Sequence, residues 1–410
     1  MKILFMHNNF PAQYRRIYKY LAKMPDVRMA VATRKINEQR YNLPTVRFEA
    51  HREPRENAHP AIKTPAKGLL MGQAAMQALY QFKNRGHEPD IVLSHSGWGS
   101  SLFVKDLFPD AKFLSYFEWY YLSQGSDGDF FRDGEAFSPD QQMQIRMKNT
   151  AILHDLAAMD WGQCPTTFQH SKFPERFRNQ ISVLHDGVDT DFFKPNENVR
   201  IQVSDGKYLT KDDEVISYIA RGMEEYRGFP QFMEAVSKLQ KVRPNLHVVI
   251  LGRDRVAYGN KRKDGRTFKT WALETFEFDM ERLHFMDLQP LAYLRDLVRI
   301  TKAHIYLTAP FVLSWSLLET MCAGALVVGS DTEPVRELIK HKENGLLVDF
   351  FNTDDLVETL NKVLDNPKDY DDLRKAGRQT ILDKYSINDI LPKQWQLIQN
   401  VANGSQINPD

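Results

Sequence analysis

Short apolar runs alternating with amphipathic stretches organise the chain. Lys2–Met6 is a run of the kind that forms a buried parallel strand. His7–Pro11 breaks it, Gln13–Lys23 carries Tyr14, Ile17, Tyr18 and Leu21 at helical spacing, and Val27–Ala32 is a second apolar run. This β-α-β opening implies a right-handed crossover within one sheet. Residues 50–68, polar and broken by prolines, read as a loop, and Leu69–Phe82 reads as an amphipathic helix. Ile91–Leu93 predicts the next strand, followed by the polar segment 94–99. Lys112–Tyr116 predicts another, running into the aromatic stretch Phe117–Tyr121. Residues 123–140 read as a loop rich in Gly and Asp, Gln141–Ala158 as one helix, and Trp161–Gln163 and Ile181–Leu184 as strands.

Between Asp189 and Asp212 the pattern is polar and irregular, which predicts a domain boundary. The opening then repeats, with strands at Val215–Ala220 and Leu246–Leu251, a loop at Arg221–Gly228 and a helix at Phe229–Leu239. Alternation continues through Leu283–Phe285, Ala303–Leu307, Leu326–Gly329 and Gly345–Val348. Two such arrays predict an α/β protein of two Rossmann-like, doubly wound domains facing a cleft, residues 1–190 and 191–387. Residues 388–410 are expected to pack back on the first domain through a helix at Asn388–Val401.

Composition narrows the function. A chain of 410 residues with 42% hydrophobic positions buries a sizeable core. Its 54 basic and 53 acidic side chains leave a net charge of +1, which argues against nucleic acid as a partner. Two cysteines, Cys164 and Cys322, exclude a disulfide framework or a Cys-rich zinc site and fit a reducing compartment. No apolar run approaches the roughly 18 residues that span a bilayer. The first residues lack a signal-peptide pattern, so a cytoplasmic enzyme is expected.

Candidate chemistry concentrates in Leu307–Ile339. A strand ends at Leu307, a loop follows through Val312, Leu313 and Ser314, and a helix begins near Trp315. Backbone N–H groups at that helix start, with the positive end of its dipole, suit a phosphate or diphosphate. Glu319 in the first turns either accepts hydrogen bonds from sugar hydroxyls or merely complements the dipole.

The segment resembles the donor-binding signature of the GT4-like retaining glycosyltransferases of the GT-B fold: an acidic residue, a Glu eight positions on, then a small-residue turn and a strand. The Glu maps to Glu319, with Met321–Gly324 as the turn and Ala325–Gly329 as the strand. The first acidic position falls on Phe311, a departure that bears on the sugar contact; the phrase 310–315 itself resembles a subgroup lacking that acid. Ile219–Gly222 followed by Arg227 and Gly228 resembles the family's diphosphate-holding pair, Arg221 and Arg227 taking those roles. From the residues alone, either could instead form a surface ion pair with Glu224 or Glu225. The stretch 184–189 resembles the family's interdomain turn, the stretch 251–254 with Gly252 the strand end lining the donor site, and Phe285–Leu288 the stretch whose backbone meets the nucleobase.

The first domain resembles the family only thinly, so position guides the reading: ligands gather at the carboxyl ends of strands. That points to His7–Pro11, His95–Gly99 and Glu118–Tyr121, with Asn9, Phe10, His95, Trp98 and Glu118 as the acceptor-side candidates. His95 is equally readable as structural. Glu118 sits either in a partly dry pocket with a raised pKa or in a solvated loop, and the aromatic stretch beside it stacks on a sugar or belongs to the core.

The pairs Asp127/Asp129 and Asp189/Asp191 look like a metal-binding Asp-x-Asp, but their loop and turn contexts argue against metal. Neither G-x-G-x-x-G nor a P-loop is present. The basic stretch Arg253–Lys269 reads as a solvated loop, with contact to anionic lipid at the inner face of a membrane left open. The resemblance implies metal-independent, retaining transfer from a nucleotide-sugar donor, UDP- or GDP-linked, to a carbohydrate-containing acceptor, with no cofactor. Catalysis would rest on Arg221, Arg227, Glu319, Glu118 and His95. The alternatives are a scaffold that kept the GT-B fold without turnover, or a phosphorylase or nucleotide-sugar hydrolase of that fold.

Overall fold

The computed structural model describes residues 1–407. Its internal contacts divide the chain into two units: Met1–Gly187 together with the segment from Ile387 onward, and Val188–Ser386.

The first unit is a parallel sheet of β1 (Lys2–Met6), β2 (Arg28–Arg34), β3 (Thr45–Phe48), β4 (Ile91–His95), β5 (Lys112–Tyr116), β6 (Trp161–Cys164) and β7 (Ile181–Val183), in the order β3-β2-β1-β4-β5-β6-β7. Successive side chains of a strand face opposite ways, and both faces here are covered. Ile3, Phe5, Val31 and Leu93 pack with Tyr14, Ile17 and Leu21 and with Leu391, Leu397, Ile398 and Val401 of the helix Ile387–Asn403. Leu4, Met6, Val92 and Phe113 pack on the other side against Met71, Ala75 and Leu79 of the helix Pro60–Lys83. Each such aliphatic side chain contributes about 1.5–3 kcal/mol by leaving water.

Four expectations are corrected. The stretch 60–68 is helix, not loop: Pro60 opens the helix, where no N–H is needed, and His59 Nδ1 accepts the Ala61 N–H at 3.2 Å. The single helix expected at 141–158 is two, Pro139–Met147 and Thr150–Ala158. Asn149 at the break exchanges side-chain bonds with the Tyr121 backbone, at 2.9 Å and 2.8 Å. The edge strand β3 was not anticipated. The polar region after Asp189 contains an antiparallel hairpin, β8 (Arg200–Ser204) and β9 (Lys207–Thr210), which buries Ile201, Val203 and Leu209 and turns at Gly206 with φ +74°.

Close approach explains how a helix with Pro65 inside it is held. A Cβ on Gly99, whose φ is +80°, would lie 2.3 Å from the Gly68 carbonyl oxygen. Gly99→Ala is therefore expected to lower stability by about 2–4 kcal/mol. Gly86→Ala, at φ +82° but with nothing within 4 Å, is expected to lose only the backbone term of about 1–2 kcal/mol. Urea denaturation of both variants checks this; equal losses would remove the helix–loop contact from the account.

The second unit adds to its hairpin a parallel sheet of β10 (Val215–Gly222), β11 (His247–Arg253), β12 (Leu283–Phe285), β13 (Ala303–Tyr306), β14 (Val327–Ser330) and β15 (Leu346–Val348), ordered β12-β11-β10-β13-β14-β15. Strand order reverses between β1 and β4 in one unit and between β10 and β13 in the other. Crevices open at the carboxyl ends of strands at such switch points.

Candidate active site

In the second unit the switch point brings together the ends of β10 and β13. Arg221 is the last residue but one of β10 and is exposed. Gly252, at φ +144° next to the last residue of β11, lies so tightly against β10 that a Cβ would be 2.2 Å from the Ala220 carbonyl oxygen. Its N–H donates to the Asp287 carbonyl at 3.0 Å, which fixes the turn carrying Leu288, 58% exposed.

Arg227 has a different task from Arg221. It is buried, with Nη1 donating to Thr308 Oγ1 at 2.8 Å and to Tyr306 Oη at 3.4 Å, and Nη2 donating to the Val312 carbonyl at 3.0 Å. It does not form the surface ion pair with Glu224 or Glu225 that the residues alone allowed. The guanidinium instead supports the segment leaving β13. Glu224 is buried, and its Oε2 accepts from the Ala257 and Tyr258 amides; burial pushes its carboxyl above the usual range.

The supported segment leads into the helix Trp315–Cys322. Ser314 caps it, accepting the Ser316 N–H at 3.3 Å, while the Ser314 N–H donates to Tyr306 Oη at 2.8 Å. Val312 is buried, Leu313 and Trp315 are half-buried, and Glu319 lies in the helix at 3% exposure. Phe311, where the resemblance puts an acid, packs on Tyr226 and Tyr258 with ring centroids 5.6 Å and 5.0 Å away. The unit thus carries an exposed cation near the end of β10, a capped helix start after the neighbouring strand β13, and a buried cation holding the loop between that strand and the helix: chemistry that suits a diphosphate.

In the first unit β1, β4 and β5 end at one place. His95, the last residue of β4, is buried and stacks on Trp98 at 4.3 Å and on Tyr116 at 5.4 Å. Its Nε2 faces Glu118 Oε2 at 3.7 Å, and the Glu118 side chain keeps 29% exposure. Gln13 Nε2 donates to Glu118 Oε1 at 2.9 Å, and Gln169 Nε2 donates to the Glu118 carbonyl at 2.6 Å. Asp155 holds the loop after β4 by accepting from Ser96 Oγ at 2.7 Å and Ser101 Oγ at 2.8 Å; burial pushes its carboxyl up to about 6. Glu118 is thus neither a freely solvated carboxylate nor a dry one.

Phe10 is a correction. It is fully buried, between Phe5, Tyr18 and Tyr41, so it is core and not an acceptor contact. Strand-end position suggested access, and the aromatic cage closed it. Phe117 and Trp119 are likewise core, while Asn9 remains exposed. His7 lies in the strand-end stretch His7–Pro11 that position indicated, and it is buried directly after β1; Gln13, which links it to Glu118, was missed. The only signal for Gln13 was its nearness to that stretch, in the turn Ala12–Tyr14.

Among the described residues, no group of three or more His, Cys, Asp or Glu is placed to hold a metal ion, and no helix is long and apolar enough to cross a membrane. Asp129 and Asp189 accept local backbone N–H groups. In the basic stretch, Arg262 and Arg266 pair with Asp264 at 2.7 Å and 2.8 Å, so part of its charge is neutralised internally.

Two Rossmann-like parallel-sheet units, each with polar residues at its switch point, define the GT-B class. Residues 25–193 match the family described as glycosyl transferase family 4 group, and residues 201–380 match glycosyl transferases group 1. The chain belongs to this GT4-like family of glycosyltransferases. Sucrose-phosphate synthase from Thermosynechococcus elongatus shares the fold with a TM-score of 0.75 at 16% identity, over 99% of this chain and 100% of that one. Anabaena HepE, solved in complex with UDP-glucose, superposes with a TM-score of 0.69 at 12% identity, over 98% and 100%. A glycosyltransferase from Rickettsia africae gives 0.65 at 16% identity, over 98% and 99%. No curated protein matches the sequence.

Proposed function

We propose that the protein is a retaining, metal-independent glycosyltransferase that moves a sugar from a UDP- or GDP-linked donor to a glycan, lipid-linked or protein acceptor. What supports the reading is exposed Arg221 near the end of β10 and, beyond the adjacent strand β13, the capped helix start at Ser314 with Glu319 buried in that helix. Arg221 and the helix dipole stabilise the charge that builds on the departing diphosphate, and Arg227 adds charge from behind the loop it supports. Glu319 receives the donor ribose, while Gly252 and the Leu288 turn border the base. The leaving phosphate takes the acceptor's proton on the same face, so no side-chain nucleophile is required. Glu118, partly exposed, receives the acceptor hydroxyl, with His95 and Trp98 behind it. HepE's complex with UDP-glucose favours a uridine donor.

The test is turnover of UDP-, GDP- and ADP-sugars with a set of glycan and lipid-linked acceptors, with and without EDTA, read as free nucleoside diphosphate and as product anomer by NMR. Acceptor-dependent release that survives EDTA with the configuration retained is expected. Release of free sugar regardless of acceptor, an EDTA-abolished reaction or an inverted product would contradict the reading.

A further inference from the structure

At the switch point of the second unit, Arg221 has two arginine neighbours on the adjoining strand. Arg253 is the last residue of β11 and the register partner of Gly222 on β10, and Arg255 follows in the turn that leaves β11. All three arginines are exposed. Among the described residues, none of their side chains has an ion pair, a hydrogen bond or a ring contact; Arg255 acts on buried Glu224 only at a distance. Asp254, between the two, is engaged by Thr267 Oγ1 at 3.0 Å. The later arginines of the same loop are different. Arg262 and Arg266 pair with Asp264, Arg262 lies over the Trp271 ring at 4.6 Å, and Arg266 also reaches Glu274 at 2.8 Å.

The backbone that carries the uncommitted arginines is held in place. The Arg253 carbonyl accepts the Met223 N–H at 3.2 Å and the Arg255 N–H at 2.8 Å. Gly222 is pressed against the same turn, where a Cβ would lie 2.5 Å from the Arg255 carbonyl oxygen. Just beyond, Glu224 Oε2 accepts the Ala257 and Tyr258 amides. Like charges on neighbouring strands repel one another, so a cluster kept on a fixed frame without a counter-ion suits an anionic ligand.

Arg227 leaves that work to other cations. Its guanidinium is taken up by Thr308, Tyr306 and the Val312 carbonyl, and it lies 5.4 Å from the centre of the Tyr258 ring. Along the order β12-β11-β10-β13, the strand ends lead from the Leu288 turn to Arg253, then to Arg221, then to the helix start at Ser314. A ligand laid across them meets Arg253 and Arg221 side by side, and the planar fork of each suits phosphate oxygens.

We propose that Arg253 and Arg255 complete, with Arg221, a three-arginine cradle for the diphosphate, supplying direct contacts that Arg227 does not make. The inference rests on the reading of the second unit as the donor site.

The test is calorimetric titration of inorganic pyrophosphate into the full chain at low ionic strength, for the wild type, Arg221→Ala, Arg253→Ala, Arg255→Ala and, as a control for loss of one exposed charge from the same loop, Lys263→Ala. Each arginine variant is expected to bind roughly 10-fold more weakly than the wild type, the loss of one charge-assisted contact. Lys263→Ala is expected to stay within about twofold. Unchanged affinity in Arg253→Ala and Arg255→Ala, with Arg221→Ala weakened, overturns the cradle and leaves the donor-site reading standing. A loss in Lys263→Ala as large as in the arginine variants also overturns the cradle, since general charge would then account for binding. Absence of pyrophosphate binding by the wild type, or equal affinity in all variants including Arg221→Ala, overturns the donor-site reading and the cradle with it.

Discussion

Arg227→Ala is expected to lower the stability of the second unit by about 2–4 kcal/mol, whereas Arg221→Ala is expected to change it by less than about 0.5 kcal/mol. The two arginines come from one sequence motif and meet different surroundings. Arg227 is 6% exposed, and its removal strands the Val312 carbonyl and takes a partner from Thr308 Oγ1 inside the protein. Buried groups that lose a charge-assisted bond cost about 1–3 kcal/mol each, and the segment from Tyr306 to Ser314 loses its support. Arg227→Lys keeps the charge but not the planar fork, so it is expected to fall between the two. Denaturant unfolding followed by a probe in the second unit measures all three. Equal losses for Arg221→Ala and Arg227→Ala would contradict the separation of a ligand-facing arginine from a supporting one.

Acidification from pH 6.5 to about 5 is expected to destabilise the second unit far more than the first. Burial lowers His304 to about 3 and His284 to about 4 in the second unit, and His185 to about 3 in the first. Below pH 6.5 the unfolded chain protonates these histidines while the folded one does not, so stability present above that pH is lost as pH falls. Asp155, raised to about 6, acts oppositely: between about pH 4 and 6 the folded state keeps a proton that the unfolded state has released. In the first unit one histidine and Asp155 nearly cancel. In the second, His304 and His284 act together, worth at most about 2.7 kcal/mol per pH unit near pH 5.5, and His247, lowered mainly by burial, adds in the same direction. Glu224, raised by burial, offsets part of this at the acid end. His304 is paired with Ser217 Oγ at 3.0 Å, and His304→Asn is expected to remove about half the slope. Calorimetry as a function of pH checks both the order of melting and that halving; simultaneous loss of both units would contradict the assignment.

Much of this architecture was legible because buried parallel strands are short unbroken apolar runs, and β1, β4, β5, β10 and β11 are of that kind. Elements whose signal is mixed were not. In β3 the sequence Thr45–Phe48 has an arginine inside and lies at the sheet edge. The helix Pro60–Lys83 begins in a segment whose prolines argue against helix until His59 is seen to cap it. On the site, the resemblance pointed to Arg221 and Glu319, and strand-end position pointed to His95 and Glu118. It had no means of separating Arg227 from Arg221, since burial of Arg227 depends on residues 306–312. Phe10 failed for the same reason, its cage being closed by Tyr41. The link from His7 through Gln13 to Glu118 spans 105 positions between its last two members and leaves no local pattern.

Nucleotide binding at the second unit is the central claim, and calorimetric titration of UDP, GDP and ADP into the wild type and Arg221→Ala tests it most directly. One nucleotide is expected to bind selectively, and the variant, equally stable, to bind it roughly 10–100-fold more weakly, the equivalent of about 1.5–3 kcal/mol for a charge-assisted contact. Absence of binding by any of the three at millimolar concentration, or equal affinity in the variant, would contradict the account.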